Sequence, residues 1–308
     1  MMAKIAYYLI IIPISFLPLR VLYLFTDLFY LLIITVIPYR RQVVRQNLIN
    51  SFPEKSLSEI KKIEYQFYRH ITDLLAEGTK NLTISQKELS KRLIVENSEL
   101  MATLHAKNKS VLLVSGHYNN WEWLITAQNN LFQHQAMGIG MPLSSKFWDK
   151  KINERRSRFG MKVVNAQNLK SEISLMSSTP IAILILGDQS PGDSRKSYWM
   201  NFLNQQTAVL FGTEQLANEY DFSTVFFKMK KVKRGYYKMS LQLISEDAKS
   251  MKWGEITENH THLLEKEIVK CPQFWIWSHK RWKRDIPLDL EQLKEEQKAK
   301  FTQKYRSI

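Results

Sequence analysis

The chain predicts an α/β fold, a mostly parallel central sheet flanked by helices and preceded by one or more hydrophobic amino-terminal helices. Three observations carry this. From Ser110 onward, short apolar runs of strand length alternate with helical patterns. One of these runs, VLLVS at 111–115, is apolar on both faces and stops at a glycine, as a covered parallel strand does. Before them, residues 40–101 are polar and helical, with no strand signal. The division that follows is an apolar anchor at 1–39, a helical segment at 40–104, a catalytic domain at 105–287 and a charged tail at 288–308.

Residues 5–19 are almost wholly apolar, and 21–39 continue with Asp27 as their only charge. Pro13 and Pro18 interrupt the first half, and Arg20 separates the two. A bilayer span takes ~20 apolar residues, so 21–37 is close to the minimum. One tilted span, a shallow hairpin and helices lying in the interface all satisfy this composition. No small-x-small site follows, which disfavours a cleaved signal. Arg40, Arg41 and Arg45 come next and place the remainder in the cytoplasm by the positive-inside rule. A membrane is one of the acidic partners that a formal charge of +15 demands; nucleic acid, phosphorylated lipid and an acidic carrier protein are the others. The single cysteine, Cys271, excludes an intramolecular disulfide and any cysteine-rich metal site.

In the helical segment, Ser56–Ser58 can cap a long helix whose apolar positions Ile60, Ile63, Phe67, Ile71 and Leu75 recur at helical spacing. Glu77 ends it, facing solvent or the site. The expected strands are Val111–Ser115, 136–140, Ile181–Leu186, 223–228 and 236–243. Helices are expected at 148–159, 169–177 and 213–220. The tail, 288–308, reads as a solvated helix that frays. There is no internal repeat.

Chemistry concentrates at VLLVSGHYNNWEW, 111–123. Gly116 permits a sharp exit from the strand, and Asn119 or Asn120 can cap the helix that starts at Trp121. His117 and Glu122 are five apart, so they can meet only across a turn, which the Gly and the two Asn supply. A carboxylate at a helix start is stabilised by free N–H groups. It can fix the tautomer of an imidazole that deprotonates a hydroxyl. The plainer reading is an ordinary surface pair.

Two further segments repeat the theme. Ile181–Leu186 runs into Gly187-Asp188-Gln189 and Ser190-Pro191-Gly192, which is either a common Asp turn or a second polar set at the same sheet edge. Residues 146–160 form a basic helix carrying Arg155, Arg156 and Arg158 near its end, suited to the helix dipole or to a phosphate. Finally, FWIWSHKRWKR at 274–284 interleaves aromatics with cations, as single-strand binders do. Seating at a membrane interface fits it better, given the apolar amino terminus.

Taken in order, these blocks resemble the late acyltransferases of lipid A biosynthesis, the lauroyl/myristoyl transferase family. Its His-x4-acid hallmark stands as His117-Tyr118-Asn119-Asn120-Trp121-Glu122, with Asn119 where the family often has Gly. The resemblance continues at Arg156-x-x-x-Gly160, at Asp188-Gln189 with Gly192, at Thr207, Gly212, Leu216 and Ala217, and at Trp277-x-His279-x-Arg281-Trp282-Lys283. Upstream, Arg41, Asn47, Phe52-Pro53 and Glu77 also match.

The resemblance implies a glycerolipid-acyltransferase-like fold and an O-acyltransferase at the cytoplasmic face of a bacterial inner membrane. The donor would be an acyl carrier protein or coenzyme A thioester, with no other cofactor and no metal. The acceptor would be the hydroxyl of a hydroxyacyl chain on a phosphorylated glycolipid precursor of lipid A. His117 would be the general base and Glu122 its support. Asn120, Arg156, Asp188, Gln189, Arg281 and Lys283 would bind substrate. The partners are then the carrier protein, the glycolipid and the membrane, and not nucleic acid. Another glycolipid, an aminolipid or a lysophospholipid is the alternative acceptor. A tethered nucleic-acid binder leaves the first motif unexplained. A metal hydrolase lacks any His-x3-His pair among His117, His134 and His279.

Overall fold

A computed structural model describes residues 2–175 and 179–306. The amino terminus is helical: α1 (Met2–Ala6) passes through a wide π-turn at Tyr7–Ile11 into α2 (Ile12–Phe16), followed by α3 (Leu19–Thr35). The π-turn ends against Pro13, whose missing N–H interrupts the helical ladder. Next come α4 (Arg41–Ser51), α5 (Leu57–Lys80) and α6 (Gln86–Arg92). The start of α5 is a capping box, with Ser56 and Glu59 each bonding the other's backbone N–H.

The α/β part runs β1 (Leu93–Val95), α7 (Glu99–Ala106), β2 (Val111–Ser115), α8 (Trp121–Leu131) and β3 (Gln135–Gly140). It continues through α9 (Lys146–Arg156), β4 (Lys162–Asn165), α10 (Leu169–Leu175) and β5 (Ile181–Leu186). A two-stranded hairpin follows, β6 (Tyr198–Phe202) with β7 (Gln205–Val209), then α11 (Gly212–Tyr220). The long strands β8 (Ser223–Lys233) and β9 (Tyr236–Ser245) precede α12 (Glu255–Lys270) and α13 (Leu290–Tyr305).

The seven-stranded sheet has the order β1-β9-β8-β2-β5-β3-β4. All neighbours are parallel except β8 and β9. The strands expected at 136–140, 223–228 and 236–243 are therefore present and longer. Four short ones, β1, β4, β6 and β7, have too little apolar pattern to stand out. Successive side chains of β2 enter opposite cores. Leu112 and Val114 join Ile183 and Phe226 on one face, and Val111 and Leu113 join Ala182 and Val225 on the other. Each of these residues is fully buried or nearly so, and truncating such a leucine costs about 2–5 kcal/mol.

At the ends, one expectation is corrected and one of the three readings left open loses support. The helix at 288–308 does not fray: α13 docks through buried Leu293 and Phe301, and Arg306 donates to the carbonyls of Ala248 and Met251. The last two residues lie outside those described, as do the last two positions of the helix expected at 169–177. At the other end, a transmembrane span is not supported. Among the described residues no helix is long and apolar enough to cross a membrane. With 17 residues, α3 extends about 25 Å, short of the ~30 Å hydrocarbon core. Pro18 stands at its start and Pro38 follows its end. One face of α3 packs on the body through Leu19, Leu22, Tyr23 and Ile33, while Leu24, Phe25, Leu28 and Leu31 face outward.

Candidate active site

Ser115 and Leu186 end adjacent parallel strands and are register partners, so the residues that follow each of them emerge side by side. His117 follows β2 and Asp188 follows β5. The backbone N–H of His117 donates to Oδ2 of Asp188 at 2.8 Å, and Nδ1 of the ring lies 2.6 Å from Oδ1. Trp275 donates its indole N–H to the same carboxylate at 2.7 Å. Burial by itself would raise the Asp188 carboxyl, but the His117 ring and these hydrogen bonds outweigh it and hold the group below its ordinary range. An ionised carboxylate only accepts, so Nδ1 carries the proton and the lone pair sits on Nε2. Gln189, exposed, reaches Nε2 through its amide nitrogen at 3.4 Å.

Gly116 has a different reason from the one its position suggests. Its φ is not positive; what the site requires is space. A Cβ there would lie 2.7 Å from Oδ2 of Asp188 and 2.6 Å from Leu264. The turn beyond uses Asn119 in the left-handed region, φ 55°, the conformation that Asn tolerates best among side-chain-bearing residues. Asn119 is tied by its backbone N–H to Phe274 O at 3.0 Å and by its side chain to Met229 O at 2.7 Å. Asn120 caps α8, accepting from the Trp123 N–H at 3.0 Å, and Trp121 sets its ring edge-on to His117.

The pairing expected between His117 and Glu122 is not formed. Glu122 sits in the first turn of α8 and is clasped by two cations from the end of α9, Arg155 at 2.6 Å and Arg156 at 2.5 Å. Burial opposes ionisation there too, but the two guanidinium groups prevail and hold the carboxyl below its usual range. The turn that separates the two residues in sequence aims them at different partners. His117 takes its carboxylate from the neighbouring strand instead.

Behind the turn lies a third carboxylate, Glu77, fully buried and facing neither solvent nor an open site. It accepts from Tyr23 (2.7 Å), Tyr237 (2.7 Å) and Asn120 (2.5 Å), and burial pushes its carboxyl up. Asn120, expected at substrate, thus spends one end of its amide on Glu77 and the other on the helix cap.

The segment 274–284 is also placed differently from expectation. Two of its three tryptophans are not at a surface: Trp275 and Trp277 are buried and pack edge to face, while Trp282 is half-buried, so the first two are not free to seat at a membrane. Asn47 and Arg40 of the helical segment bond its backbone at Trp277, Ser278 and His279. His279 accepts from the Ser190 N–H at 3.0 Å and so braces the loop that carries Asp188. Arg281 is buried behind Asp188, and loss of water pushes its guanidinium down to about 10. Lys283 alone of this pair is exposed. Trp275 and Arg155 were not among the expected site residues, though FWIW and the run of arginines were the available signals.

Residues 119–122 also line a cavity of about 420 Å³. Ile71, Leu74 and Leu82 line it from the helical segment, Trp148 and Ile152 from α9, and Tyr7 and Ile11 from the amino terminus. The walls are apolar, with Glu122 and Arg155 among the few polar groups. His117 is half-buried, its Nε2 is met by the Gln189 amide, and its ring stands 5.0 Å from Trp121 at the wall of this apolar cavity. Such a histidine can activate a hydroxyl near a site for a long hydrocarbon when the hydroxyl takes the place of that amide.

The family described as bacterial lipid A biosynthesis acyltransferase matches residues 2–284. Curated relatives share low identity over most of their length. The lipid A biosynthesis palmitoleoyltransferase of Escherichia coli K12 is 21% identical over 255 residues, covering 79% of each chain. The lipid A biosynthesis lauroyltransferase of the same organism is 22% identical over 245 residues, again covering 79% of each. A Shigella flexneri lipid A biosynthesis acyltransferase matches at 21%.

Proposed function

The chain belongs to the bacterial lipid A biosynthesis acyltransferase family and is an acyltransferase, and on that premise we propose that it moves a fatty acyl group from a carrier thioester to a lipid hydroxyl. In this reading the donor is an acyl carrier protein, with coenzyme A as the chemically equivalent alternative. The acceptor is the hydroxyl of a hydroxyacyl chain on a phosphorylated lipid A precursor. The observation that carries the reading is the hydrogen bond from His117 Nδ1 to buried Asp188, which leaves Nε2 as a base; Trp121, edge-on to that ring, lines the apolar cavity.

Nε2 of His117 takes the acceptor's hydroxyl proton as the oxygen attacks the thioester carbonyl. Asp188 supports the imidazolium that forms, as a buried carboxylate does for a catalytic histidine. The carbon–sulfur bond then breaks, and the imidazolium returns the proton to the leaving thiolate. No protein nucleophile is needed, because the acceptor attacks directly. The donor chain occupies the cavity, and Glu122 holds Arg155 at its polar wall.

Membrane contact belongs to the same proposal. Leu9 is 71% exposed, Leu24 68% and Phe25 57%, a density of bare apolar side chains that calls for a covering surface. With no spanning helix among the described residues, α1–α3 would lie in the interface of the inner membrane with the rest of the chain in the cytoplasm. Tyr7 and Ile11 of this region line the cavity, which brings a membrane-borne acceptor to its mouth.

The test is acyl transfer from a carrier thioester to purified precursor by the wild type and by His117→Ala, joined to lipid mass spectrometry of a deletion strain. Loss of transfer in the variant and of one secondary acyl chain in the strain are expected. Unchanged lipid A would overturn the acceptor, and full activity of His117→Ala would overturn the mechanism.

A further inference from the structure

A second cavity, of about 550 Å³, opens where the start of α3 meets the tip of the β8–β9 hairpin. Five cations line it, Arg20, Lys80, Arg92, Lys233 and Arg234, with Glu88 as the one acid. Glu88 is occupied by Arg92 at 2.6 Å. Arg234 is met by Asp27 and Asp73. Lys80 donates to the carbonyls of Ser15 and Leu17, capping the end of α2. Among the described residues no carboxylate pairs with Arg20 or Lys233. The cavity therefore carries a positive charge that the protein's own acids leave uncompensated. Lys80 feels this: burial and then the nearby Arg92 push its ammonium down.

The walls are built rather than incidental. Gly235 turns the hairpin at φ +73°, and a Cβ there would lie 2.6 Å from Tyr23 Oη and 2.9 Å from Leu19. The hairpin tip is thus pressed onto α3 in the one way a glycine allows. Arg92 donates to Gly235 O at 3.2 Å and stacks 4.6 Å over the Tyr236 ring. Lys233 lies 4.4 Å over the same ring. The cavity is far larger than a single ion needs, since a water molecule takes ~30 Å³. It opens beside Pro18 and Leu19, on helices whose outer face is bare and apolar.

A cationic pocket at the foot of an exposed apolar surface has the chemistry of a headgroup site. We propose that this cavity binds the phosphate-bearing headgroup of an anionic membrane lipid, apart from the His117–Asp188 centre. The two are separated by the buried Tyr23–Glu77–Asn120 chain of hydrogen bonds. The assignment rests on the membrane contact proposed above for the orientation of its ligand, and not for its charge.

The experiment is vesicle flotation of the full-length protein, using phosphatidylcholine alone and phosphatidylcholine doped with phosphatidic acid. Neutral vesicles test the apolar face; the gain from phosphatidic acid tests the cavity. Arg20→Gln with Lys233→Gln removes the two unpaired cations without touching a buried pair, and is expected to lower the phosphatidic acid gain on the order of tenfold. Binding to neutral vesicles should be unchanged. Lys266→Gln with Lys298→Gln removes the same charge from exposed positions elsewhere and should keep the gain. Equal loss in both double variants would reduce the effect to net charge and overturn the site. Calorimetry with glycerol phosphate separates the sources. If the first double variant loses glycerol phosphate binding but floats like the wild type, the cavity serves a soluble phosphate ester and the lipid assignment fails. Failure of the wild type to bind neutral vesicles, with the phosphatidic acid gain intact, would sink the membrane-contact reading and leave the cavity standing.

Discussion

His117 and Asp188 are 71 residues apart in the chain and 2.6 Å apart at Nδ1 and Oδ1. The carboxylate five residues from His117 in sequence, Glu122, belongs to Arg155 and Arg156 instead. This exchange of partners separates the roles of the two acids and gives the first prediction.

Replacing Asp188 with Asn leaves an amide whose nitrogen can donate to Nδ1. That moves the ring proton to Nε2, where the lone pair is needed. We expect kcat to fall about 10³-fold with KM nearly constant and the fold retained. Glu122→Gln unbalances two arginines and should lower stability by about 2 kcal/mol, below the range for a fully buried pair because the cluster is partly exposed. Its pH–rate profile should keep the wild-type shape, whereas that of Asp188→Asn should shift. The assignment of partners fails if Glu122→Gln shifts the profile and Asp188→Asn does not.

Gly116→Ala places a methyl group where Asp188 and Leu264 already stand. Crowding of this kind costs about 1–3 kcal/mol, and the loop with Asp188 is what can yield. Transfer should drop by at least about 10²-fold, the usual worth of a positioned base. Thermal unfolding and rates on the same sample would show it. A Gly116→Ala protein as active as the wild type would mean that the close approach is dispensable.

Gly78 lies on α5 at the wall of the apolar cavity, and a Cβ built there meets nothing within 4 Å. Gly78→Ala should raise stability by about 0.5–1 kcal/mol, the helical cost of glycine. Gly78→Leu should fill the slot and favour shorter donors, on the order of tenfold per two or so methylenes lost. Donor series of increasing chain length measure the shift. Unchanged chain-length preference in the leucine variant would show that the donor chain lies elsewhere.

Stability should decline in acid in two stages. Burial pushes His134 and His260 down to about 4 from 6.5. In that interval the unfolded chain binds more protons, so their contribution is full above pH 6.5 and is lost as pH falls toward 4, on the order of 3 kcal/mol each. Asp188 and Glu122, held below 3.8 and 4.5, lose theirs as pH falls below those values. Glu77 is raised, so its contribution has the opposite sign and fades as pH rises. Urea unfolding across this range should give a His260→Leu protein a flatter slope between pH 6.5 and 4. An identical slope would remove His260 from the account.

Much of the fold was legible because its signals are local. The cap at Ser56, the covered run at 111–115 and the turn with its helix cap at Asn120 each depend on a few consecutive residues. Short strands were not legible: β4 and β1 owe their existence to neighbours in the sheet, not to their own pattern. The tryptophans of 274–284 were misread because an aromatic beside a cation looks the same whether it faces lipid or a buried carboxylate. Trp275 was placed by its bond to Asp188.

By itself, then, the sequence determined the strand, the turn and the helix that present His117, and the family resemblance of the whole. Periodicity, capping and turn chemistry are properties of adjacent residues. Only the tertiary structure decided which acid serves that histidine, what Glu77 binds and where the cationic cavity lies. Each of these joins segments that are distant in the chain, and their meeting depends on strand order. That order follows from how both faces of the whole sheet are covered, and no local spacing contains it.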